Sequence, residues 1–201
     1  LMREEIHVRE QLMIAAKSEF LRCGYQKASL RSIAQAAGVS TGSVYFFFGS
    51  KEKLFHAVVD ETATLLRSFL IEGAKKEYDG TISGEENDRA FIECLQAHPE
   101  ESLILLEKSA DSPVAGFREE MVALLEKGFM AFFLRAGGDP ADAPLIHLLV
   151  DQRVHAILML ISRRYDMETT MNYAVLIGAY GDAGFAGMMQ QYHQMKKGSA
   201  E

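Results

Sequence analysis

Between Ser29 and Phe48 the chain reads SLRSIAQAAGVSTGSVYFFF, two apolar stripes at helical spacing parted by one glycine. Leu30, Ile33, Ala34 and Ala37 fall at i, i+3, i+4 and i+7, which is one face of a helix. Gly38 stops that helix, because glycine enters the left-handed conformation at a helix end without steric cost. Ser40 stands where the next helix needs an N-cap, and Val44, Phe47 and Phe48 form the second stripe. Two short helices about a tight glycine-containing turn make a helix-turn-helix, whose second helix is built to enter a DNA major groove.

The flanking sequence is helical throughout. Val8, Leu12, Ala16 and Phe20 recur every fourth residue, so residues 3–23 read as an amphipathic support helix ended by Gly24. Gly49-Ser50 breaks the chain again, and Ser50 caps a long helix that begins at Lys51. DGTISGE, at 79–85, is the first clear loop. Further helices are expected over 87–97, over 99–110 with Pro99 in the first turn, and from Pro113 to Arg135. Gly137-Gly138 ends the last of these, and two more follow over 140–164 and about 168–195. Nothing alternates with period two for long, so no strands are expected. The fold class is all-α with eight or nine helices: a three-helix helix-turn-helix DNA-binding domain at 1–56, with its motif at 29–48, and a helical ligand-binding and dimerisation domain at 57–201.

The stretch GVSTGSVYFFFGSKEKLF, preceded by GY and SLRSIAQAA, resembles the TetR (tetracycline-repressor) family of bacterial transcriptional regulators. The matching positions include Gly24, Tyr25, Ile33, Ala34, Ala37, Gly38, Val39, Ser40, Gly42, Tyr45, Phe48, Lys51, Glu52 and Leu54, and the likeness covers roughly residues 5 to 60. Two positions depart from the pattern. Ala28 stands where the family usually has Thr, and Phe46 where a polar residue is common. The resemblance implies a homodimer on a near-palindromic double-stranded operator, most often a repressor released by a small-molecule effector held in the C-terminal domain. The alternatives are a redox- or metal-responsive regulator using Cys23, Cys94 or a histidine face, and a ligand-independent regulator acting through a protein partner.

Net charge is −7, which at first sight opposes DNA binding. The charge is unevenly placed. Residues 1–56 hold eight Lys/Arg and five Asp/Glu, whereas residues 57–201 hold thirteen and twenty-three. The basic excess sits with the motif, as phosphate binding requires. Two cysteines cannot build a disulfide framework, which fits a reducing cytoplasm. No run of eighteen apolar residues or signal-peptide pattern is seen, so no membrane partner is expected. The elbow, phosphate-loop and zinc-protease motifs of common enzyme classes are missing, so no catalytic residue, cofactor or metal is assigned.

With Ser40 as cap, Thr41, Gly42, Ser43, Tyr45 and Phe46 face outward toward DNA, unless Phe46 turns into the core. That set lacks Arg, Lys, Asn and Gln, the residues of bidentate base contacts. Direct readout is therefore expected to be weak and A·T-leaning, with DNA shape adding specificity. Tyr45, Ser29, Arg31 and Lys51 are the phosphate candidates, Lys51 in a helix first turn whose free N–H groups favour an anion.

Farther along, Phe117, Met121, Phe129 and Phe132 form an aromatic and methionine stripe that reads either as core or as the lining of an effector pocket. Gly178, Gly181, Gly184 and Gly187 recur every three residues. Their helix cost suggests close approach of a partner helix, forming a four-helix bundle with 140–164 across a two-fold axis; the other reading is a kink near Gly181. His147, Asp151 and His155 share a helix face, a pattern that suits satisfied polar residues better than a metal.

Overall fold

The computed structural model describes residues 2–79 and 81–198; the outer ends of both expected domains, residue 1 and residues 199–201, lie outside it. Nine α-helices run through the described residues, with no strand among them. They are α1 Met2–Lys27, α2 Leu30–Ala36, α3 Thr41–Phe48, α4 Lys51–Tyr78, α5 Gly84–Ala97, α6 Pro99–Glu107, α7 Phe117–Arg135, α8 Ala143–Ser162 and α9 Met167–Gly198. The helix expected from Pro113 starts instead at Phe117, because residues 109–116 form successive turns.

The helices sort into two compact units: residues 1–67 with 98–119, and residues 68–97 with 120–201. The first unit is thus discontinuous in sequence. The expected boundary at 56/57 follows the motif, whereas packing also brings α6 and the start of α4 and α7 into the N-terminal unit.

In the N-terminal unit α2 packs on α1 and on α3, and α6 packs on α1. Leu12, Ala16 and Phe20 of α1, Ile33 and Ala34 of α2, Val44 and Phe48 of α3, and Leu54, Phe55 and Val59 of α4 supply the core. Phe20, Tyr25 and Phe55 form an edge-on aromatic cluster, with Phe55 4.9 Å from each partner ring. Gly24 interrupts α1 at φ 77°, ψ 168°, a region essentially restricted to glycine. The break lets the Tyr25 N–H donate to the Lys108 carbonyl at 3.1 Å, tying the end of α6 to the base of the motif. At the other end of α6, Lys17 of α1 pairs with Glu101 at 2.9 Å and Glu100 at 3.5 Å. Burial works against the Lys17 charge, but these two carboxylates outweigh it and hold its pKa above the usual lysine value.

In the C-terminal unit α5, α8 and α9 pack on one another. Ile92, Leu95, Ile146, Val150, Val154, Leu158 and Met171 fill the space between them. Tyr192 of α9 anchors the turn before α8: its hydroxyl donates to Asp142 at 2.6 Å, accepts from the Asp139 N–H at 2.9 Å, and its ring meets Phe133 edge-on. The segment Pro140–Ser162 holds an 18-residue window of mean hydropathy 1.4 and is by length and composition able to cross a membrane, although its longest apolar run, AILMLI, is far short of eighteen residues. Here it is a packed helix that carries Arg153 in an ion pair with Asp88.

Candidate nucleic-acid interface

The motif helices begin as their sequence dictates. The Ser29 side chain caps α2 by accepting from the Ser32 N–H at 3.4 Å, and Ser40 caps α3 by accepting from the Ser43 N–H at 3.2 Å. The Ser40 and Ser43 hydroxyls also share a hydrogen bond at 3.1 Å. Gly38 sits at φ 69° between the helices and Gly49 at φ 76° after them, so glycine makes both stops in the left-handed region.

With those caps set, α3 turns Val44 and Phe48 into the core and leaves Phe47 half-buried. Tyr45 and Phe46 project outward, 55% and 76% exposed, and the Phe46 ring rests edge-on against Phe47 at 5.0 Å. The core reading of Phe46 is therefore excluded. Gly42 is exposed, and Thr41 and Ser43 are half-buried beside it. The outward face of α3 presents a phenol, a phenyl ring and small hydroxyls, and no charged group. Arg31 on α2 is exposed. Arg9 of α1 lies over the Phe48 ring at 5.3 Å, a cation close to α3 that the sequence reading did not single out.

Two residues act differently from their sequence reading. Ala28, the substitute for an expected Thr, is buried, so its methyl group packs inside the domain and a hydroxyl there would need an internal partner. Lys51 reaches back across the turn: its ammonium donates to the Gln26 carbonyl at 3.1 Å and sits 4.7 Å over the Tyr25 ring. Burial pushes its pKa below the usual lysine value, with Cys23 and Glu19 only partly offsetting this. Beneath the same turn lies Glu19, which accepts from Arg22 at 2.6 Å and from the Ser29 N–H at 3.3 Å. Burial pushes this carboxyl up, yet the Arg22 guanidinium and the Ser29 N–H outweigh burial and hold it below the ordinary glutamate range. The N-cap of α2 is thereby locked to α1 through one buried carboxylate.

The C-terminal unit contains a cavity of about 410 Å³ between α4, α5, α7 and α8. Phe129 and Phe132 line it, together with Leu124, Leu125, Arg135 and Arg153. Phe117 and Met121 are not among its lining residues. Phe117 belongs to the N-terminal unit, buried beneath the Arg67 guanidinium at 4.9 Å, and Met121 is buried one turn before Leu125 on the same stripe of α7, short of the lining residues. A charge inside an apolar helix, Arg153, was the sequence signal for this site.

The four glycines of α9 also do not form one face. A spacing of three residues drifts by about 60° per step on an α-helix, so the set winds around α9. A side chain at Gly178 would approach Asp88, and one at Gly181 would approach Arg153, both within this unit. Only Gly184 and Gly187 open onto free space, and the helix passes Gly181 without a break. The exposed apolar face of α9 instead runs through Tyr173, Leu176 and Tyr180 to Gly184 and Gly187, and Leu148 and Met159 are exposed on α8.

His147 pairs with Glu126, and His155 is exposed. Among the described residues no group of three His, Cys, Asp or Glu side chains gathers around a metal-sized space. Cys23 and Cys94 are half-buried, and burial pushes both thiols up, which keeps them in the unreactive protonated form.

Comparison with known proteins converges on the N-terminal unit. The sequence profile of bacterial regulatory proteins of the tetR family matches residues 12–58. The HTH-type transcriptional repressor AcnR of Corynebacterium efficiens is 32% identical over 72 residues, which are 36% of this chain and 38% of that protein. The HTH-type transcriptional repressor KstR2 of Rhodococcus jostii is 32% identical over 117 residues, 58% of this chain and 52% of its own. The chain therefore spans about half or less of the curated relatives it matches. In fold it is similar over nearly its whole length to a TetR-like transcriptional regulator from Rhodococcus sp. RHA1, with a TM-score of 0.61 at 19% identity, covering 90% of this chain and 96% of that one. The helix-turn-helix and its flanking helices, residues 12–58, are thus those of the tetR family of bacterial regulatory proteins.

Proposed function

We propose that this protein is a cytoplasmic, homodimeric transcriptional repressor that binds a near-palindromic operator and leaves it when a small molecule enters the C-terminal cavity. The observation that carries the reading is α3: a capped helix whose inner face is core and whose outer face leaves Tyr45 and Phe46 in solvent. The exposed Phe46 ring meets its own helix at Phe47, and against a thymine methyl or a sugar it becomes apolar contact. Thr41, Gly42, Ser43, Tyr45 and Phe46 are the groove-facing set, and the Ser29 and Ser40 hydroxyls, Arg31 and Lys51 are the phosphate set. Lys51 acts from a fixed position, since its ammonium has a proton left to give after binding Gln26.

Dimerisation is assigned to the exposed face of α9, where Leu176 and Tyr180 are 65% and 78% exposed, with Leu148 and Met159 of α8. A second copy of the same face would bury them in a four-helix bundle and set two recognition helices one duplex turn apart, about 34–36 Å. Effector release is assigned to the roughly 410 Å³ cavity, large enough for a small organic molecule. The path from it is short in sequence: α5 borders the cavity and ends at Ala97, and α6 begins at Pro99 and is bonded to α1 through Lys17 and Tyr25. Repression as the sign of control is supported by relatives named repressors, such as AcnR, BepR and KstR2, although a relative in Mycolicibacterium smegmatis is named an activator.

The test is selection from random duplex DNA at fixed salt. Enrichment of one inverted repeat rich in A·T at the contacted steps is expected. Recovery of non-specific, salt-sensitive binding alone, or of a site read through several G contacts by α3, would overturn the reading of this helix.

A further inference from the structure

The cavity of the C-terminal unit is apolar in its walls and positive in its charge. Leu70, Leu124 and Phe129 line it, but so do Lys75, Lys127, Arg135 and Arg153, against the single carboxylate of Asp88. The two guanidiniums are held in place by aromatic rings. Arg135 lies 4.6 Å over Phe132, and Arg153 lies 5.4 Å over Phe129. Arg153 also pairs with Asp88, so α8 is joined to α5 through an ion pair at the cavity wall. Asp88 borders a second, smaller hollow between α5 and α9, where its carboxylate faces Gly178.

A neutral ligand would leave this pair intact, and a cationic one would meet four like charges. An anion fits both features: it balances the excess charge and competes with Asp88 for a planar donor suited to carboxylate. Building on the effector reading above, we propose that the cavity takes an amphipathic carboxylate. Its apolar tail lies among the leucines and phenylalanines, and its head displaces Asp88 from Arg153. The exchange breaks the tie between α5 and α8, and α5 leads directly into α6. The ligand's charge is thus the signal, and its tail supplies the grip.

The experiment is calorimetric titration of the full chain with decanoate, decanol and decylamine at neutral pH and fixed salt, repeated on Arg153→Gln and Asp88→Asn. Decanoate is expected to bind at least about tenfold more tightly than decanol, as a charge-assisted bidentate contact provides, with decylamine weakest. In R153Q decanoate should fall to the level of decanol while decanol binding is retained, which also reports that the variant is folded. In D88N, which removes the competing carboxylate, decanoate should bind several-fold more tightly than in the parent chain, and this variant carries the test if R153Q does not fold. Equal or stronger binding of decanol or decylamine overturns the anion proposal and leaves the effector cavity standing. Binding of none of the three overturns both the proposal and the assignment of this cavity as an effector site.

Discussion

Glu19 shows how one buried side chain sets a local structure. Its carboxylate accepts from Arg22 and from the Ser29 N–H, so it joins the end of α1 to the first turn of α2. Replacing it by Gln keeps the volume and loses the charge-assisted bonds. E19Q should cost about 1–2 kcal/mol in chemical denaturation, since Arg22 is largely exposed and is partly compensated by water. The pH dependence has a definite sign. A carboxyl held below its ordinary range stabilises the fold fully at neutral pH, and that contribution disappears as the pH falls through the ordinary range and below it. E19Q should flatten this part of the stability curve on acidification; an unchanged acid limb would show that Glu19 is not responsible. Gly24 is the second single-residue determinant. At φ 77°, ψ 168° an alanine is strained, and its Cβ would also stand 3.4 Å from the Lys108 carbonyl. G24A should lower stability by about 1–3 kcal/mol, measured by urea unfolding. The opposite result, a more stable protein, would mean that the break in α1 relaxes at little cost.

At the scale of helices, much was legible and some was not, for identifiable reasons. Gly38, Ser40 and Gly49 announce where α2 and α3 stop and start because their chemistry is local. The outward face of α3 follows from the cap alone, and the exposure of Tyr45 and Phe46 agrees with that reading. Periodicity also grouped the apolar residues of α7, but it cannot say which side of a helix meets a cavity and which meets another helix. Nor can it say where along a stripe a cavity begins: Phe117 and Met121 share the stripe of Leu125 and Phe132 but precede the lining residues. The α9 glycines share no single face, since a spacing of three drifts around the helix, and only Gly184 and Gly187 fall on its exposed apolar side. Docking of α6 on α1 had no sequence signal, because it depends on a carbonyl, Lys108 O, meeting an N–H at a glycine break. The exposed face of α3 yields its own prediction. Phe46→Arg places a bidentate guanine reader on that face, so selection with this variant should gain a G at one position per half-site. An unchanged selected sequence would place Phe46 outside the groove.

For the molecule as a whole, charge and association decide behaviour. The exposed α9 face carries Leu176 and Tyr180 in a chain with a strongly acidic C-terminal part. Leu176→Glu with Tyr180→Glu should yield a monomer by light scattering with its helix content retained, and operator affinity should fall by at least about a hundredfold as the two half-sites are read independently. A dimer that survives both substitutions would move the interface elsewhere. Binding should also weaken steeply with salt, and Lys51→Ala should reduce the slope of log affinity against log salt by about one if that ammonium meets a phosphate.

The N-terminal unit is completed only by residues 98–119, which follow a 30-residue excursion through the other unit. During synthesis the helix-turn-helix therefore emerges from the ribosome well before the α6 segment that closes its base, and the unit stays unfinished until translation has passed Glu119. The same topology governs its dissection. A fragment cut after Arg67 retains every proposed DNA contact and loses the Lys17–Glu101 and Tyr25–Lys108 ties, so it should melt earlier than the intact protein and bind DNA poorly. In a protein built this way, the helix-turn-helix is not a cassette that ends with its motif: recombination that moves the unit intact must carry the chain through Glu119.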